Sequence, residues 1–364
     1  MQAALDAVES HGSIVAAARA LGIPRPTLSS RVERAKLAVA RGEIDPPPVT
    51  APIDPMVREP LASFEEAWEQ WSRCIGRMRD RYTDPPKKKA KAGREKILVV
   101  PDLHAPFHEE AMFAEMIARE SDADRCICIG DLSDSYALST FTHYRSVPFH
   151  EEWASVTAAM QALSEAFPVV DVIIGNHDGR LEKRIRERLT EDMVEAVKYL
   201  AGGSLCPITA LSKRFPNVRV AKHEVPGGES VDWFMTCGDA WLGHPEKYSR
   251  VPGAALRAVE DWIADHEDDL GLGRFRLIVM GHTHVHSSFP WRGRQMLVEA
   301  GCLCQTQGYM LKPRIGGRPQ ARGYLTFEQT NGVTDLNSVR FFNFDFAKGN
   351  EWREPNSTPT TARH

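Results

Sequence analysis

The feature that most constrains the fold is a series of short apolar runs, each of which ends in Asp, Asn or His. In chain order the runs are ILVVPDLH, CICIGD, VVDVIIGNHD, DAWLGH and RLIVMGHTH. Short apolar runs that are bounded by polar clusters predict buried strands. Strands that lie side by side in one sheet bring their carboxyl ends to a common rim, so the sequence predicts one polar site at that rim.

Helical patterns alternate with these runs, and the alternation predicts a layered α/β domain. The helical patterns cover residues 109–120, 151–166, 181–200 and 254–266. After Gly293 the runs QMLVEAGCL, ARGYLTFEQ and NSVRFFNFDF follow without intervening helices. We therefore expect the last part of the domain to consist of further strands.

Composition divides the chain of 364 residues into four stretches: 1–42, 43–96, 97–346 and 347–364. The first is Ala-rich and helical in pattern, which predicts a small separate domain. The second holds Pro-rich and basic linkers on either side of a helix predicted at 61–82, whose large apolar residues recur at helical spacing and indicate a packing face. The third is the α/β domain, and the last is predicted to be a flexible tail.

Charge and cysteine content limit the functional class. The chain has 45 basic and 49 acidic residues, so any basic surface for nucleic acid must be local. Seven cysteines, an odd number, argue against a disulfide framework. No apolar run approaches the roughly 18 residues of a membrane span, and the N-terminus lacks the pattern of a signal peptide. We therefore expect a cytoplasmic protein without a membrane partner.

The side chains predicted at the rim are of types that bind metals. They are Asp102, His104, Asp131, Asn176, His177, Asp178, His244, His282 and His284. Carboxylate and amide oxygens mixed with imidazoles suit divalent Mn, Fe, Zn or Ni. His223 competes with His244, which we favour because it follows a glycine after an apolar run, as its counterparts do. The glycine that precedes most of these residues allows a close approach of the backbone.

These motifs, D-x-H, G-D, G-N-H-D, a lone His and G-H-x-H in this order, closely resemble those of the calcineurin-like metallophosphoesterase superfamily. The resemblance covers about residues 97–346. It implies a four-layer αββα sandwich with two metal ions, for which Mn²⁺ is the first choice and Fe, Zn, Ni or Mg are alternatives. It assigns Asp102, His104, Asp131 and His284 to one metal, and Asp131, Asn176, His244 and His282 to the other.

The resemblance also implies a mechanism for phosphoester hydrolysis. Two cations about 3.5–4 Å apart can share a water, lower its pKa and clamp the phosphoryl oxygens during in-line attack. His177 would stabilise charge or protonate the leaving oxygen, and Asp178 would orient it and keep it protonated. Arg180 is a candidate for binding a substrate phosphate, although an ordinary charged helix face with ion pairs would explain the basic run that it begins.

The N-terminal stretch resembles a Fis-type helix-turn-helix of bacterial DNA-binding proteins. The pattern is AAxxLGIxxxTLxxRV, with the turn at Gly22. The predicted core positions are Ala17, Leu21, Ile23, Leu28 and Val32. The residues expected to face DNA are Arg25, Thr27, Ser29, Ser30, Arg31 and Arg34. A helical hairpin used for dimerisation is the alternative, and a homodimer fits either interpretation.

Together these observations predict a bacterial or phage-type metal-dependent phosphodiesterase that acts on DNA, a nuclease. DNA is favoured because a tethered DNA-binding module raises the effective concentration of the catalytic domain near DNA. One alternative is a phosphomonoesterase or nucleotide phosphohydrolase whose first domain serves assembly or localisation. Another is a DNA-binding regulator with a non-catalytic phosphoesterase scaffold. The sequence after Asp131 lacks the arginine typical of the family's protein phosphatases, which counts against a phosphoprotein substrate.

Overall fold

The computed structural model describes residues 63–79, 93–140, 147–226, 228–249, 251–305 and 320–344, with scattered positions between 17 and 35. The chain divides into two compact units, Met1–Glu59 and Pro60–His364. Of the predicted linkers, residues 43–60 and 83–92 lie outside the described residues, as does the predicted tail, whereas residues 94–96 belong to the first strand and not to a linker. Among the residues described, no helix is long and apolar enough to cross a membrane.

The second unit is built on two mixed sheets. Its strands are β1 (Arg94–Val100), β2 (Arg125–Ile129), β3 (Val170–Ile173), β4 (Val218–Val220), β5 (His223–Glu224), β6 (Ser230–Val231), β7 (Phe234–Cys237), β8 (Ala240–Gly243), β9 (Leu277–Met280), β10 (His286–Trp291), β11 (Gln295–Ala300), β12 (Gly323–Thr330) and β13 (Val333–Asn343). One sheet has the order β13-β12-β1-β2-β3-β4 and the other the order β10-β11-β9-β8-β7, while β5 and β6 form a separate pair. Strands β1 to β4 are parallel neighbours, as are β8, β9 and β11.

The helices of this unit agree with most of the predicted helical patterns. They are α1 (Phe64–Arg79), α2 (Glu110–Arg119), α3 (Phe149–Ala166), α4 (Arg180–Arg186), α5 (Glu191–Leu200), α6 (Pro207–Ser212), α7 (Ala254–Asp265) and α8 (Glu267–Leu270). The single helix predicted over 181–200 is wrong, because the chain forms α4 and α5 there. The first helix ends at Arg186, and Thr190, which is extended with ψ at 159°, directly precedes the second. Glu191 and Asp192 then begin the second, where their charge complements the helix dipole.

Successive side chains of a strand point to opposite faces of its sheet. The apolar residues therefore form three cores, which lie between four layers of helices and sheets. In β1, Leu98 and Val100 pack with α1, α2 and α3 on the outer face of the first sheet. Ile97 and Val99 point the other way and pack against the second sheet. The outer face of the second sheet packs against α7. The predicted mixed α/β architecture is therefore confirmed, with each fully buried aliphatic side chain contributing about 1.5–3 kcal/mol.

Helix α1 is part of the α/β unit, against α2 and α3. Its Trp71 is fully buried, with its ring stacked on His108 at 4.6 Å between centroids and edge-on to Phe113 at 4.3 Å. Gln70 donates a hydrogen bond to the Glu110 carboxylate at 2.8 Å. The apolar stripe predicted at 61–82 is thus a packing face, and it covers the loop that follows β1.

In the first unit, the described positions include part of the predicted helix-turn-helix. Ala17, Leu28 and Val32 are buried, and Gly22 lies in a turn with φ at 65°. The prediction that Leu21 belongs to the core is wrong. Leu21 lies in the turn beside Gly22, and its side chain is 49% exposed. The described residues predicted to face DNA are all exposed: Thr27, Ser30, Arg31 and Arg34. Arg25 and Ser29 lie outside the described residues, and a DNA-binding role for this set stays a prediction.

Candidate metal centre

The predicted site residues meet where strands of both sheets end. In the first sheet, β1 leads into Asp102, β2 into Asp131 and β3 into Asn176. In the second sheet, β8 leads into His244 and β9 into His282. The expectation of a rim on one sheet is therefore wrong. Because the two sheets pack face to face, their carboxyl ends open at one shared edge.

Unusual backbone conformations are concentrated at these strand ends. Eight described non-glycine residues have a positive φ, and five of them are predicted ligands. These five are Asp102, His104, Asp131, His282 and His284. Such conformations cost about 1–3 kcal/mol each and persist where the surrounding structure enforces them, commonly at functional sites. The fold thus supports a strained backbone in order to direct these side chains to one place.

Two glycines show how tightly the strand ends pack. A Cβ at Gly175 would collide with the carboxylate and backbone of Asp131. A Cβ at Gly281 would lie 2.8 Å from Oδ2 of Asp102 and 2.9 Å from Nδ1 of His244. Only glycine admits so close an approach without displacing the polar groups.

One half of the site joins Asp102, His104 and His284 to Asp131. The Nε2 atoms of His104 and His284 lie 3.0 Å apart, and Nε2 of His284 lies 3.3 Å from Oδ1 of Asp102. Nδ1 of His104 donates to the Asp134 carboxylate at 2.8 Å, so its Nε2 lone pair faces the cluster. Burial disfavours the charged form of His284, but the Asp102 carboxylate outweighs it and raises the pKa of His284 to about 9.

The other half of the site joins Asn176, His244 and His282 to Asp131. Nδ1 of His244 donates to the carbonyl of Ile129 at 2.8 Å, which directs Nε2 at Oδ2 of Asp131, 3.1 Å away, and at Oδ1 of Asn176, 3.2 Å away. Oδ1 of Asn176 also lies 3.0 Å from Nδ1 of His282. Burial disfavours the charged form of His244, but nearby carboxylates outweigh it and raise its pKa to about 10. The carboxylates that favour a positive charge on this ring would equally attract a metal cation.

The donor set fits divalent cations. Ligand atoms lie within 4.8 Å of one another in the group Asp102, His104 and Asp131 and in the group Asp131, His244 and His282. Carboxylate and imidazole ligands of this kind hold Mn, Fe, Zn or Ni. Since Asp131 belongs to both groups, its carboxylate could join two ions.

His177 lies beside this cluster, but its partner differs from the predicted one. Its Nδ1 lies 2.8 Å from the backbone carbonyl of Asp134 and 3.2 Å from Oδ1 of the same residue. The buried carboxylate of Asp178 instead accepts backbone N–H groups, from Ser133 at 2.9 Å and from Gly175 at 3.0 Å. The prediction that Asp178 orients His177 is therefore wrong, because the Asp178 side chain turns inward and ties two strand-end loops together.

Three further residues contact the site, and no sequence motif assigns them to it. Asp134 bonds both His104 and His177, and its only sequence signal is its position three residues after the G-D motif. Gln320 lies 3.0 Å from Nδ1 of His284, and Sγ of Cys304 lies 3.7 Å from the same atom. Both are well separated from His284 along the chain, so no local motif predicts their contact.

The structure separates the two histidines that competed for one ligand position. His223, in β5, has its Nε2 2.7 Å from the carbonyl of Leu270 and packs against Phe234. It therefore lies away from the cluster that His244 joins.

Arg180, the first residue of α4, reaches the site. Its Nη1 donates to the backbone carbonyl of Asp134 at 2.8 Å, and its Nη2 lies 2.9 Å from Nε2 of His177. Two of the other basic residues of α4 form ion pairs, Arg184 with Glu187 and Arg186 with Glu182. The charged-face alternative thus describes those residues, whereas Arg180 is directed at the predicted active site.

A model of the calcineurin-like phosphoesterase family matches residues 95–286. The chain belongs to this family. The family uses divalent metals, and the Asp and His groups described above could hold them. The chain is thereby placed among the metal-dependent phosphoesterases, which are hydrolases.

Comparison with solved structures finds several similar chains. Vps29 of Chaetomium thermophilum is 12% identical, with 64% of this chain and 84% of that chain covered and a TM-score of 0.32. A conserved uncharacterised protein of Streptococcus pneumoniae, described as a predicted phosphoesterase, is 12% identical, with 69% and 98% covered and a TM-score of 0.28. A hypothetical protein of Thermus thermophilus is 14% identical, with 68% and 99% covered and a TM-score of 0.33. A search of curated proteins finds no significant match.

Proposed function

We propose that the protein is a phosphodiesterase with two divalent metal ions, Mn²⁺ as first choice, and that it hydrolyses DNA. The observation that carries the proposal is the position of Asp131. Its carboxylate stands between the group that contains Asp102 and His104 and the group that contains His244 and His282. When bound, two cations held in this way would activate a water and stabilise charge on the phosphoryl oxygens.

His177 is suited to protonate the leaving oxygen. Nδ1–H is held by Asp134, so Nε2 is directed toward the space beside Asp131, whose Oδ2 lies 3.9 Å away. Burial disfavours the charged form of the ring, but the carboxylates of Asp131 and Asp134 outweigh it and raise the pKa of His177. A protonated imidazole next to the phosphoester can act as a general acid, which contributes about 10²–10⁴-fold to such reactions.

Arg180 is suited to hold a phosphoryl oxygen. Its guanidinium is a planar group with five N–H donors, which matches the geometry of phosphate oxygens. One nitrogen donates to the carbonyl of Asp134, and the other lies against His177, so the guanidinium is already positioned beside the proposed general acid. We assign Arg180 to substrate binding.

The proposal of DNA as substrate rests on the N-terminal unit. Ser30, Arg31 and Arg34 are exposed on helical residues that follow the turn at Gly22. Arginine and hydroxyl side chains on one helix suit contacts with phosphates and base edges. A module of this kind, tethered to the phosphoesterase unit, would raise the local concentration of DNA at the active site.

The test is a substrate panel with metal-stripped protein to which Mn²⁺ is restored. The panel contains linear duplex DNA, single-stranded DNA, a simple phosphodiester and a simple phosphomonoester. Asp131→Asn is expected to lose bound metal and all hydrolysis, because the bridging carboxylate is removed. Asp192→Asn makes the same change in charge at an exposed position on α5 and is expected to behave as wild type.

Each outcome of this panel decides between the candidate functions. Cleavage of DNA that is lost in Asp131→Asn supports the proposal. Monoester or nucleotide hydrolysis with intact DNA contradicts it and favours a phosphomonoesterase or nucleotide phosphohydrolase. Unchanged metal content and activity in Asp131→Asn would refute the assignment of two metals.

A further inference from the structure

We propose that the cavity beside Asn176 and His244 is a subsite that receives the nucleobase next to the scissile phosphate. This inference rests on the proposed function and specifies its substrate: a strand whose base is free to leave the stack. The cavity has a volume of about 670 Å³. Volumes of about 300–1,000 Å³ are typical of sites for small organic groups.

The cavity is continuous with the candidate metal centre. Gly175, Asn176 and His244 form part of its wall, and all three lie at the strand ends that form the second half of the site. The remaining wall comes from α4, α7 and the segments around residues 232–233 and 245–247. A group bound in the cavity is therefore adjacent to a phosphoryl group held at the metal centre.

Backbone hydrogen bonds attach the cavity wall to the same strand ends. The N–H of Ile174, directly after β3, donates to the carbonyl of Asp232 at 2.8 Å. The N–H of His244, directly after β8, donates to the carbonyl of Trp233 at 2.8 Å. Asp232 and Trp233 thus connect the two sheets at their open edge. The distance between the cavity and the metal centre is set by rigid elements.

Aromatic faces make the cavity suitable for a flat base. The indole rings of Trp233 and Trp262 lie 5.2 Å apart at an angle of 56°, and both are partly exposed. Trp233 is supported from behind by Phe234 and Trp241, at 4.8 and 5.9 Å between ring centroids. Rings that are held in place stack on bases with little loss of side-chain freedom.

The polar groups of the wall complement a nucleotide. Asp232 and Glu246 bring carboxylates into a wall that also contains rings, two lysines and aliphatic residues such as Val259, and a carboxylate can accept hydrogen bonds from the amino or imino groups of a base. Lys183 and Lys247 are exposed at the cavity and supply positive charge for neighbouring phosphates. An aromatic wall with two carboxylates and two lysines suits a nucleotide better than an aliphatic group.

A subsite for a single base predicts which form of DNA the protein prefers. A base inside a duplex is paired and stacked, so it can enter the cavity only after it leaves the helix. An unpaired base, in a single strand or at a frayed end, enters without that cost. The subsite therefore predicts a preference for single-stranded DNA.

The experiment compares two phosphodiesters that differ only in the base: thymidine 5′-(4-nitrophenyl phosphate) and its abasic deoxyribose counterpart. We expect wild type with Mn²⁺ to favour the thymidine ester by about 10- to 100-fold in kcat/KM, since stacking of a base on an aromatic ring typically contributes that much. Trp262→Ala should hydrolyse both esters at the abasic rate, and Trp262→Phe should restore most of the preference. The matched control is Trp291→Leu, which removes an indole from the same apolar cluster but not from the cavity wall.

Binding provides a second measurement that does not depend on turnover. Titration calorimetry with thymidine 5′-monophosphate and deoxyribose 5-phosphate should show tighter binding of the nucleotide in wild type and in Trp291→Leu, but not in Trp262→Ala. Equal kcat/KM for the two esters in wild type overturns the base subsite and leaves the proposed phosphodiesterase standing. If wild type hydrolyses neither ester, the proposed function fails and the subsite inference fails with it.

Discussion

Arg180 and His177 contact each other through Nη2 and Nε2 at 2.9 Å. A guanidinium can only donate, so Nε2 accepts in this arrangement and the proton of the ring is on Nδ1, directed at the carbonyl of Asp134. A phosphoryl group that binds Arg180 would take over this donor. Nε2 would then be free to bind a proton, which would be the second proton on the ring. In the proposed mechanism, substrate recognition and proton donation would therefore lie on neighbouring side chains.

Replacement of this imidazole is expected to separate turnover from metal binding. In His177→Ala we expect kcat to fall by about 10²–10⁴-fold, the usual effect of losing a general acid. Metal content should stay at the wild-type value, because His177 is outside the two groups that join Asp131 to its neighbours. Steady-state kinetics and metal analysis of the purified variant check both statements. His150→Ala, at an exposed position, serves as the control, and loss of metal from His177→Ala would contradict the role.

Asp134 is expected to act through the two histidines that it holds. Its carboxylate contacts Nδ1 of His104 at 2.8 Å and Nδ1 of His177 at 3.2 Å. Burial disfavours the charged form of Asp134, but these two rings outweigh it and lower its pKa. Asp134→Asn should therefore lower both metal affinity and kcat, and in the double variant with His177→Ala the effects on kcat should be less than multiplicative. Fully multiplicative effects would show that Asp134 does not act through His177.

Glu152 predicts a dependence of stability on pH. Burial and the nearby Asp134 carboxylate raise its pKa from 4.5 to about 7, although it accepts N–H groups from Tyr136 and Ala137. Because the folded state binds this proton more tightly, the contribution is present below pH 4.5 and is lost as pH rises through 7. The loss is worth about 3 kcal/mol at most, at about 1.4 kcal/mol per pKa unit.

Thermal unfolding of Glu152→Gln measures this contribution. The amide is neutral at every pH, so the Tm of the variant relative to wild type should increase between pH 5 and pH 8. Glu165→Gln on the same helix provides a control, since Glu165 is exposed and accepts a hydrogen bond from Gln161 on the exposed side of that helix. A Tm difference that does not change with pH would contradict the role of Glu152.

The strand-end residues were predictable because the signal is local. Each apolar run and the polar residue that ends it are adjacent in the sequence, as β2 and Asp131 are, so the pattern indicates where a strand stops. The division of the strands between two sheets was not visible, because periodicity reports which face is buried and not which strand lies beside it. The family resemblance supplied that arrangement.

Contacts of side chains across the site were less predictable. Asp178 follows His177 in the sequence, yet Asp134 is the carboxylate that contacts the His177 ring. Direction of a side chain depends on the packing of distant segments, here the loop after β2 against the loop after β3. For the same reason the sequence does not predict the contact of Gln320 with His284, since it joins segments that are far apart in the chain.

Helix α1 determines how the N-terminal unit should be removed. Deletion of residues 1–90 would also remove Trp71 and expose the surface around His108 and Phe113 that it covers. Deletion of residues 1–59 keeps α1. We expect this shorter deletion to hydrolyse a simple diester at the wild-type rate while its affinity for DNA falls, because only the tethered module is lost.

The longer deletion then serves as a control for packing. It should lower the Tm and the rate on the simple diester as well, since loss of a fully buried Trp costs about 3–5 kcal/mol. Measurement of Tm, diester hydrolysis and DNA binding for both deletions separates the two effects. Equal DNA affinity of wild type and the 1–59 deletion would refute the role of the first unit in DNA capture. Equal stability of the two deletions would instead show that α1 does not support the loop that leads from β1 into the metal centre.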